Sequence, residues 1–432
     1  MQAMLAFENA PPFTAPLRFF LTAPLFGLLA GLLVAFEGPE LWASRWMPGT
    51  LAVTHLITVG FMLQVMLGAL IQILPVVAGA NLKQPVWISR LVHVGLTAGA
   101  LLLAAGFVVG MPILLGCGAL VLGLTTLIFL AATVAALQGV PSSSPTIRGI
   151  KFALFGLLGT VGLGSIMSLA LIFGWSLALP PLADLHAGWG LGGWAGILLA
   201  AMAYVVVPMF QLTPGYPARS SWWFPVFMLA MLLIWTLAML LDQPMVVRFG
   251  QLGAALAGIA FAVQTLRLQA RRRRARPDAT YRYWQLGLIS SIFALFLPST
   301  AAMWPVVAEH EGWPLMFGVL LIGGGFLPFI IGMLYKIVPF LSWMHLQNSG
   351  QAKVPAPAMN KILAEPDMHR QLVAYVVALA LMLLAVLFPA WLARLAGLAF
   401  AVANGWLWWN LFIAIRRYRC HLADITVRLA AL

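Results

Sequence analysis

The stretch THLITVGFMLQVMLGALIQILPVVAG, residues 54–79, is an almost uninterrupted apolar run. A helix needs roughly 20 apolar residues to cross the hydrocarbon core of a bilayer. The run is therefore long enough for a transmembrane helix, and Pro75 near its end bends or ends a helix. Two further stretches share its pattern, LHAGWGLGGWAGILLAAMAYVVVPMF at 185–210 and FGVLLIGGGFLPFIIGMLYKIVPFLSW at 317–343. The sequence thus predicts a membrane protein that contains related helices.

The three stretches align on Pro75, Pro208 and Pro339. Small residues recur at fixed offsets before each proline: Gly60, Gly193 and Gly324 at fifteen residues, and Gly68, Ala201 and Gly332 at seven. Internal repetition is a strong signal of fold, although glycine and proline are also common in membrane helices generally. We expect one polytopic membrane domain over 1–432, with repeat units of four helices near 1–140, 141–276 and 277–432. The three proline helices are expected to form the inner layer of the bundle.

The composition supports a membrane location for the whole chain. Of 432 residues, 62% are hydrophobic and only 8% are charged, whereas soluble domains carry about a quarter charged residues. An all-α protein with about twelve transmembrane helices is predicted. The expected spans are 17–36, 51–79, 86–110, 112–137, 150–174, 185–210, 222–241, 246–268, 283–305, 313–341, 371–388 and 390–415.

The charged residues predict the orientation of the spans. The net charge is +13, and Lys and Arg lie in short gaps between apolar runs, as in RRRRARPDATYR from Arg271. Such positive gaps are typical of the cytoplasmic side, so a nucleic-acid partner is not expected. The pattern predicts a multi-pass membrane protein with both termini in the cytoplasm. Residues 346–370 are expected to form an irregular loop.

The three proline stretches, including GMLYKIVPFLSWMHLQ, resemble those of the haem–copper oxidase subunit I superfamily. The resemblance is closer to its divergent NnrS-type membrane proteins, which are associated with nitric oxide stress. It implies three arcs of four helices and b-type haem near the outer face. The chain departs from true oxidases because span seven lacks histidine and span ten lacks H-x-H. The copper site is therefore missing, and neither oxygen reduction nor nitric oxide reduction is expected.

His55 is the first candidate haem or metal ligand, since it opens span two where the resemblance places a haem ligand. On an α-helical face, Met62 and Met66 align with it at i+7 and i+11. A neutral imidazole is a common haem ligand, and an ionisable group in a membrane helix suggests function. The alternative is an interfacial histidine, with the methionines filling gaps in the core.

Two further histidines are expected at the same outer level. His186 opens span six, and Gly190 and Gly193 on its face could admit a flat macrocycle or pack against another helix. His310, between two glutamates before span ten, could join the haem site or remain a solvated loop residue. Away from this level, Lys336 is expected to extend to the inner surface, and His345 to lie at the inner interface.

The leading hypothesis is a haem-binding membrane protein in respiratory electron transfer or in nitric oxide handling. It would bind haem b, and its partners beyond the bilayer would be respiratory subunits or a cytochrome. One alternative is a haem-free transporter of copper or a small molecule, since thioethers favour Cu(I). Copper is the weaker prediction because the methionines are scattered. The other alternative is an accessory or assembly subunit of a respiratory complex.

Overall fold

The computed structural model describes residues 9–273, 276–304, 306 and 312–431, and every regular element within them is a helix. Two short helices, Gly38–Trp42 and Met359–Ile362, accompany the long ones. The long helices of this part of the chain are α1 (Thr14–Glu37), α2 (Pro48–Ala78), α3 (Pro85–Val109), α4 (Pro112–Leu137), α5 (Pro145–Phe173), α6 (Leu179–Gln211), α7 (Ala218–Leu240), α8 (Pro244–Ala270), α9 (Ala279–Met303), α10 (Trp313–Ser349), α11 (Glu365–Leu387) and α12 (Pro389–Ala430).

Eleven of these helices are long and apolar enough to cross a bilayer, with mean hydropathies of 1.5 to 2.5 in the described residues. The protein is therefore an all-α, multi-pass membrane protein, as the composition predicts. Helix α9 coincides with the expected ninth span and has 25 residues, but it is not among the eleven. A total of twelve spans stays a prediction.

Prolines begin many of the helices and glycines end several of them. A proline fits the first helical position because its missing N–H would have no partner there. Glycine fits the position after a helix because it adopts positive φ without steric cost. Gly38, Gly110 and Gly174 do so after α1, α3 and α5, with φ of 66–70°. The helix-initiating prolines are Pro48, Pro85, Pro112, Pro145, Pro244 and Pro389.

The three proline helices share an unusual backbone feature. Each contains a π-helical segment: Leu56–Leu63 in α2, Gly188–Gly196 in α6 and Val319–Phe326 in α10. Each segment ends 12 or 13 residues before its proline. π-Helices are rare and are frequent at functional sites. The repeated sequence pattern therefore coincides with a repeated departure from α-helical geometry.

These same three helices are the most buried of the eleven. In their most apolar windows, 78% of α2 and 56% of both α6 and α10 is buried, against 22–50% elsewhere. Helices such as α4 and α5 instead expose large aliphatic and aromatic side chains along much of their length. Lipid is the solvent that accommodates such surfaces, because apolar groups cost free energy in water.

The chain divides into two compact units. The first consists mainly of Ile73–Ala275 and Leu288–Trp313, and the second of Pro11–Gln72, Arg276–Gly287 and Pro314–Leu432. In the first, α3 packs on α4, α5 on α6, and α7 on α8; in the second, α12 packs on α1, α10 and α11. The sequence prediction of one domain with three repeat units stays a prediction.

Small residues allow the closest helix contacts in each unit. A Cβ added at Gly31 in α1 would lie 2.4 Å from the backbone nitrogen of Ala401 in α12. In the other unit, a Cβ at Gly156 in α5 would lie 2.3 Å from the carbonyl group of Gly193 in α6. Backbones this close tolerate no side chain, which is the usual role of small residues between membrane helices.

Two expected boundaries need correction. The loop expected at 346–370 is shorter, because α10 continues to Ser349 and α11 begins at Glu365. The last helix, expected to end at 415, continues to Ala430. The residues beyond 415 carry several arginines. The apolar run therefore ends there, but the helical hydrogen bonding continues to Ala430.

Candidate functional site

The two candidate histidines of the described chain both lie just before a π-helical segment, although at different offsets from the proline of their helix. His55 is the last residue before the π-helical segment of α2, and His186 is two residues before that of α6. The change from α to π geometry alters the direction of the following side chains. Each histidine therefore lies where the backbone of its helix changes, which is a feature of functional sites.

The imidazole of His55 is oriented by its own helix. Its Nδ1 lies 2.8 Å from the carbonyl oxygen of Leu51, one turn earlier. Because a carbonyl oxygen only accepts, Nδ1 carries the hydrogen, and in the neutral ring Nε2 then holds the lone pair. A hydrogen bond of this kind fixes the tautomer and raises the basicity of a metal-bound imidazole. The donor chemistry of His55 thus fits an axial ligand of haem iron.

The methionines expected beside His55 are both buried in α2. Met62 lies inside the π-helical segment and Met66 follows it, with 2% and 9% of their surfaces exposed. The expected alignment with His55 assumed 3.6 residues per turn, whereas a π-helix has wider turns. A shared face for the three side chains therefore stays a prediction.

His186 packs against the neighbouring helix α5. Its Nδ1 lies 3.0 Å from the carbonyl oxygen of Thr160, so Nδ1 carries the hydrogen here as well. A Cβ added at Gly164 would lie 3.1 Å from the imidazole Cε1. The ring is therefore held between α6 and α5.

The glycines that follow His186 also face α5. A Cβ at Gly190 would lie 3.2 Å from Thr160, and Gly193 is in backbone contact with Gly156. Of the two roles that the sequence leaves open for these glycines, the structure favours close helix packing. A flat macrocycle cannot lie on this face of α6 while α5 covers it.

His310 lies outside the described residues, so its part in a haem site stays a prediction. Within the described ranges, no group of three or more His, Cys, Asp or Glu side chains is arranged to hold a metal ion. A haem iron needs one or two protein ligands, so this finding concerns multidentate metal sites alone.

A buried polar cluster that the sequence analysis did not single out lies in the second unit. Its centre is Gln371 of α11, which is fully buried. The Gln371 Oε1 accepts hydrogen bonds from the hydroxyls of Tyr283 and Tyr335, the latter at 3.0 Å. Its Nε2 donates to the carbonyl oxygen of Ala403 in α12 at 3.0 Å. One carboxamide thus links four helices, α9 to α12.

Asn410 of α12 extends the cluster. Its Nδ2 donates to the Tyr335 hydroxyl at 2.9 Å and, more weakly, to the carbonyl oxygen of Asp367 at 3.3 Å. Tyr204 lies four residues before Pro208, as Tyr335 lies four residues before Pro339. Its buried hydroxyl has no hydrogen-bond partner among the described residues. Helices α6 and α10 therefore share a π-helical segment but differ in the partners of these tyrosines.

Lys336 forms an ion pair whose partner lies in the charged gap after span eight, and its expected extension to the inner surface stays a prediction. Its Nζ lies 2.8 Å from Oδ2 of Asp278, whose side chain is only 7% exposed. The other carboxylate oxygen of Asp278 accepts from the backbone N–H of Tyr281 and so caps α9. Glu365 accepts from the N–H of Ala279 at 2.6 Å. Two carboxylates therefore occupy the N-terminus of α9, where the helix dipole favours negative charge.

His345 also has aromatic partners. Its Nδ1 lies 3.0 Å from the hydroxyl of Tyr418, and Phe13 stacks on the imidazole with ring centres 5.8 Å apart. These contacts join α10 to α12 and to the segment before α1. They account for His345 as a packing residue.

Comparison with known proteins adds no family assignment. No protein-family model matches the chain, and no curated protein sequence is significantly similar to it. The functional interpretation therefore depends on the residues themselves, among which His55 has the donor chemistry that haem requires.

Proposed function

We propose that this chain is a haem-binding membrane protein in which His55 would hold the iron of a b-type haem. The observation that supports this most is the 2.8 Å distance between Nδ1 of His55 and the Leu51 carbonyl oxygen, from which it follows that the lone pair of the neutral ring is on Nε2. Helix α2 is the most buried of the membrane-spanning helices. A buried location favours haem, because the macrocycle is largely apolar and its redox potential depends on exclusion of water.

The proposal includes the oxidase subunit I-like arrangement of three arcs with four helices each. It is supported by the π-helical segments of α2, α6 and α10, which lie at nearly the same distance before their prolines. These helices are also the most buried of the eleven. A common backbone irregularity at a common offset is difficult to obtain by chance from glycine and proline content alone.

The chemistry that a bound haem supplies is reversible one-electron transfer and binding of small ligands such as nitric oxide at iron. The protein contributes the Nε2 lone pair of His55, the hydrogen bond from its Nδ1 that strengthens this donor, and an apolar surrounding. Helix α7 carries no histidine, so the copper site of true oxidases has no counterpart. The proposed role is therefore respiratory electron transfer or nitric oxide handling in a bacterial inner membrane, with both termini cytoplasmic.

The test is an absorption spectrum of the detergent-purified protein, oxidised and then reduced with dithionite, after expression with added haem precursor. A Soret band with sharp α and β bands on reduction is expected. The His55→Ala variant should lose most of this absorbance. His421→Ala, a matched control on the arginine-rich end of α12, should retain all of it.

His186→Ala distinguishes the two histidines. We expect it to keep the haem spectrum and to lower stability, because His186 packs between α6 and α5. A colourless parent protein under haem-sufficient expression contradicts the proposal. It would favour the haem-free alternatives, for which copper analysis and co-purification with respiratory subunits are the next measurements.

A further inference from the structure

A cleft of about 650 Å³ lies between the start of α7 and the last third of α8. Its walls consist of Pro217, Arg219, Ser220, Trp223 and Gln264. All of these residues belong to the first compact unit. The cleft has no connection with the proposed haem ligand, and nothing in the proposed function uses it.

The polar side of the cleft is held in place by hydrogen bonds. Gln264 Nε2 donates to the hydroxyl of Ser220 at 2.8 Å, and that hydroxyl donates to the carbonyl oxygen of Pro217 at 3.0 Å. The second N–H of the Gln264 amide makes no hydrogen bond within the described part of the chain. The cleft thus presents one oriented amide N–H beside the Arg219 guanidinium.

Positive charge around the cleft has no acidic counterpart. Arg219 is exposed, and it pairs with no carboxylate among the described residues. Arg267 lies about one turn beyond Gln264 on α8 and Arg271 directly follows that helix, and both are exposed. Arg148 stacks on Trp222 at 5.5 Å, a contact that leaves its charge uncompensated.

The acidic residues in the described part of this unit are far from the cleft. Between residues 73 and 275 the sequence contains two, Asp184 and Asp242. Asp242 follows the opposite end of α7, so a helix of about 34 Å separates it from Arg219. Asp184 lies near the start of α6, whereas the cleft follows the end of that helix. Neither of these carboxylates therefore pairs with Arg219, and an external anion is a suitable partner for it.

Apolar side chains continue from the cleft along the membrane face of the same helices. Trp223 is 59% exposed, and Phe227 lies one turn further along α7 and is 46% exposed. On α8, Leu256 lies two turns before Gln264 and is 61% exposed. A ligand with an anionic head and apolar chains would contact both the polar cleft and the apolar surface beside it. A soluble anion would contact the polar cleft alone.

We propose that this cleft binds the phosphate headgroup of an anionic glycerophospholipid, with the acyl chains lying along Trp223 and Phe227. Arg219 and the Gln264 amide donate to the phosphate oxygens. Basic pockets between membrane helices are established binding sites for anionic headgroups. The proposal is independent of haem binding, since the cleft and His55 share no residue or helix.

The test is native mass spectrometry of the full-length protein in detergent, titrated with dioleoyl phosphatidylglycerol. Dioleoyl phosphatidylcholine, which has the same acyl chains and no net charge, is the ligand control. We expect preferential binding of phosphatidylglycerol, and about tenfold weaker binding by Arg219→Gln, because a charge-assisted hydrogen bond is lost. Arg248→Gln, which removes an exposed arginine at the other end of α8, should bind like the parent protein.

A second variant keeps the charge and removes the polar wall. Gln264→Leu should weaken phosphatidylglycerol binding about threefold while gel filtration shows an unchanged, monodisperse protein. Equal binding of the two lipids, or equal weakening by Arg219→Gln and Arg248→Gln, would overturn the proposal. Displacement of the lipid by an equal concentration of glycerol 3-phosphate would also overturn it, because the site would then recognise a soluble phosphate.

Discussion

Replacing Gln371 with methionine is expected to destabilise the protein by about 2–6 kcal/mol, the upper figure being that for two buried hydroxyls without an acceptor. Methionine has a similar length but cannot reproduce the carboxamide. The change leaves the hydroxyls of Tyr283 and Tyr335 without their acceptor and the carbonyl of Ala403 without its donor. Side-chain hydrogen bonds in a membrane protein contribute about 0.6 kcal/mol each on average. The loss of three such bonds gives the lower figure. Buried polar groups left unsatisfied cost roughly 1–3 kcal/mol each, which gives the upper figure.

The assay is reversible unfolding in mixed detergent micelles with increasing SDS, followed by circular dichroism. The matched control is Gln347→Met, an exposed glutamine on α10 for which a change within about 0.5 kcal/mol is expected. A double-mutant cycle of Gln371→Met with Tyr335→Phe should show a coupling of at least about 0.5 kcal/mol. Equal stabilities of Gln371→Met and Gln347→Met would refute the reasoning, because the cluster would then contribute nothing to folding.

Three further substitutions test other contacts. Lys336→Met removes the ammonium partner of the buried Asp278 carboxylate. We expect it to lower the free energy of unfolding by roughly 1–3 kcal/mol. An unchanged thermal midpoint would contradict this. Gly156→Val should prevent α5 from packing on α6 and yield aggregated protein on gel filtration, while Gly162→Val, where an added Cβ meets nothing within 4 Å, should remain monodisperse. Ser144→Ala removes the side-chain cap of α5 and should cost about 1 kcal/mol in the same SDS titration, and no loss would argue against that cap.

The sequence predicts the helices well because the signals for them are local. The expected span 112–137 coincides with α4, and the span 86–110 differs from α3 by one residue at each end. Proline and glycine specify many ends, since their backbone preferences act within one residue. The boundaries are wrong where hydropathy and helicity separate, as in α12 after residue 415.

The polar cluster could not be found from the sequence in the same way. Gln371 stands at the edge of its expected span, where a polar residue is ordinary, and its partners come from three other helices. Polar residues inside apolar spans, such as Asn410, are a usable signal, since they need partners within the membrane. Which partners they find depends on which helices are neighbours, and hydropathy carries no such information.

The candidate site shows the same division. The sequence by itself places His55 and His186 near the beginning of two helices with a common pattern. It can do so because apolar runs and residue spacings are properties of a continuous segment of chain. The tertiary structure decides that α5 covers the glycine face beside His186, that the Leu51 carbonyl orients His55, and that Lys336 meets Asp278. The physical reason is range: membrane insertion depends on the summed transfer free energy of one segment, whereas hydrogen bonds and close packing depend on atoms that folding brings together from distant segments.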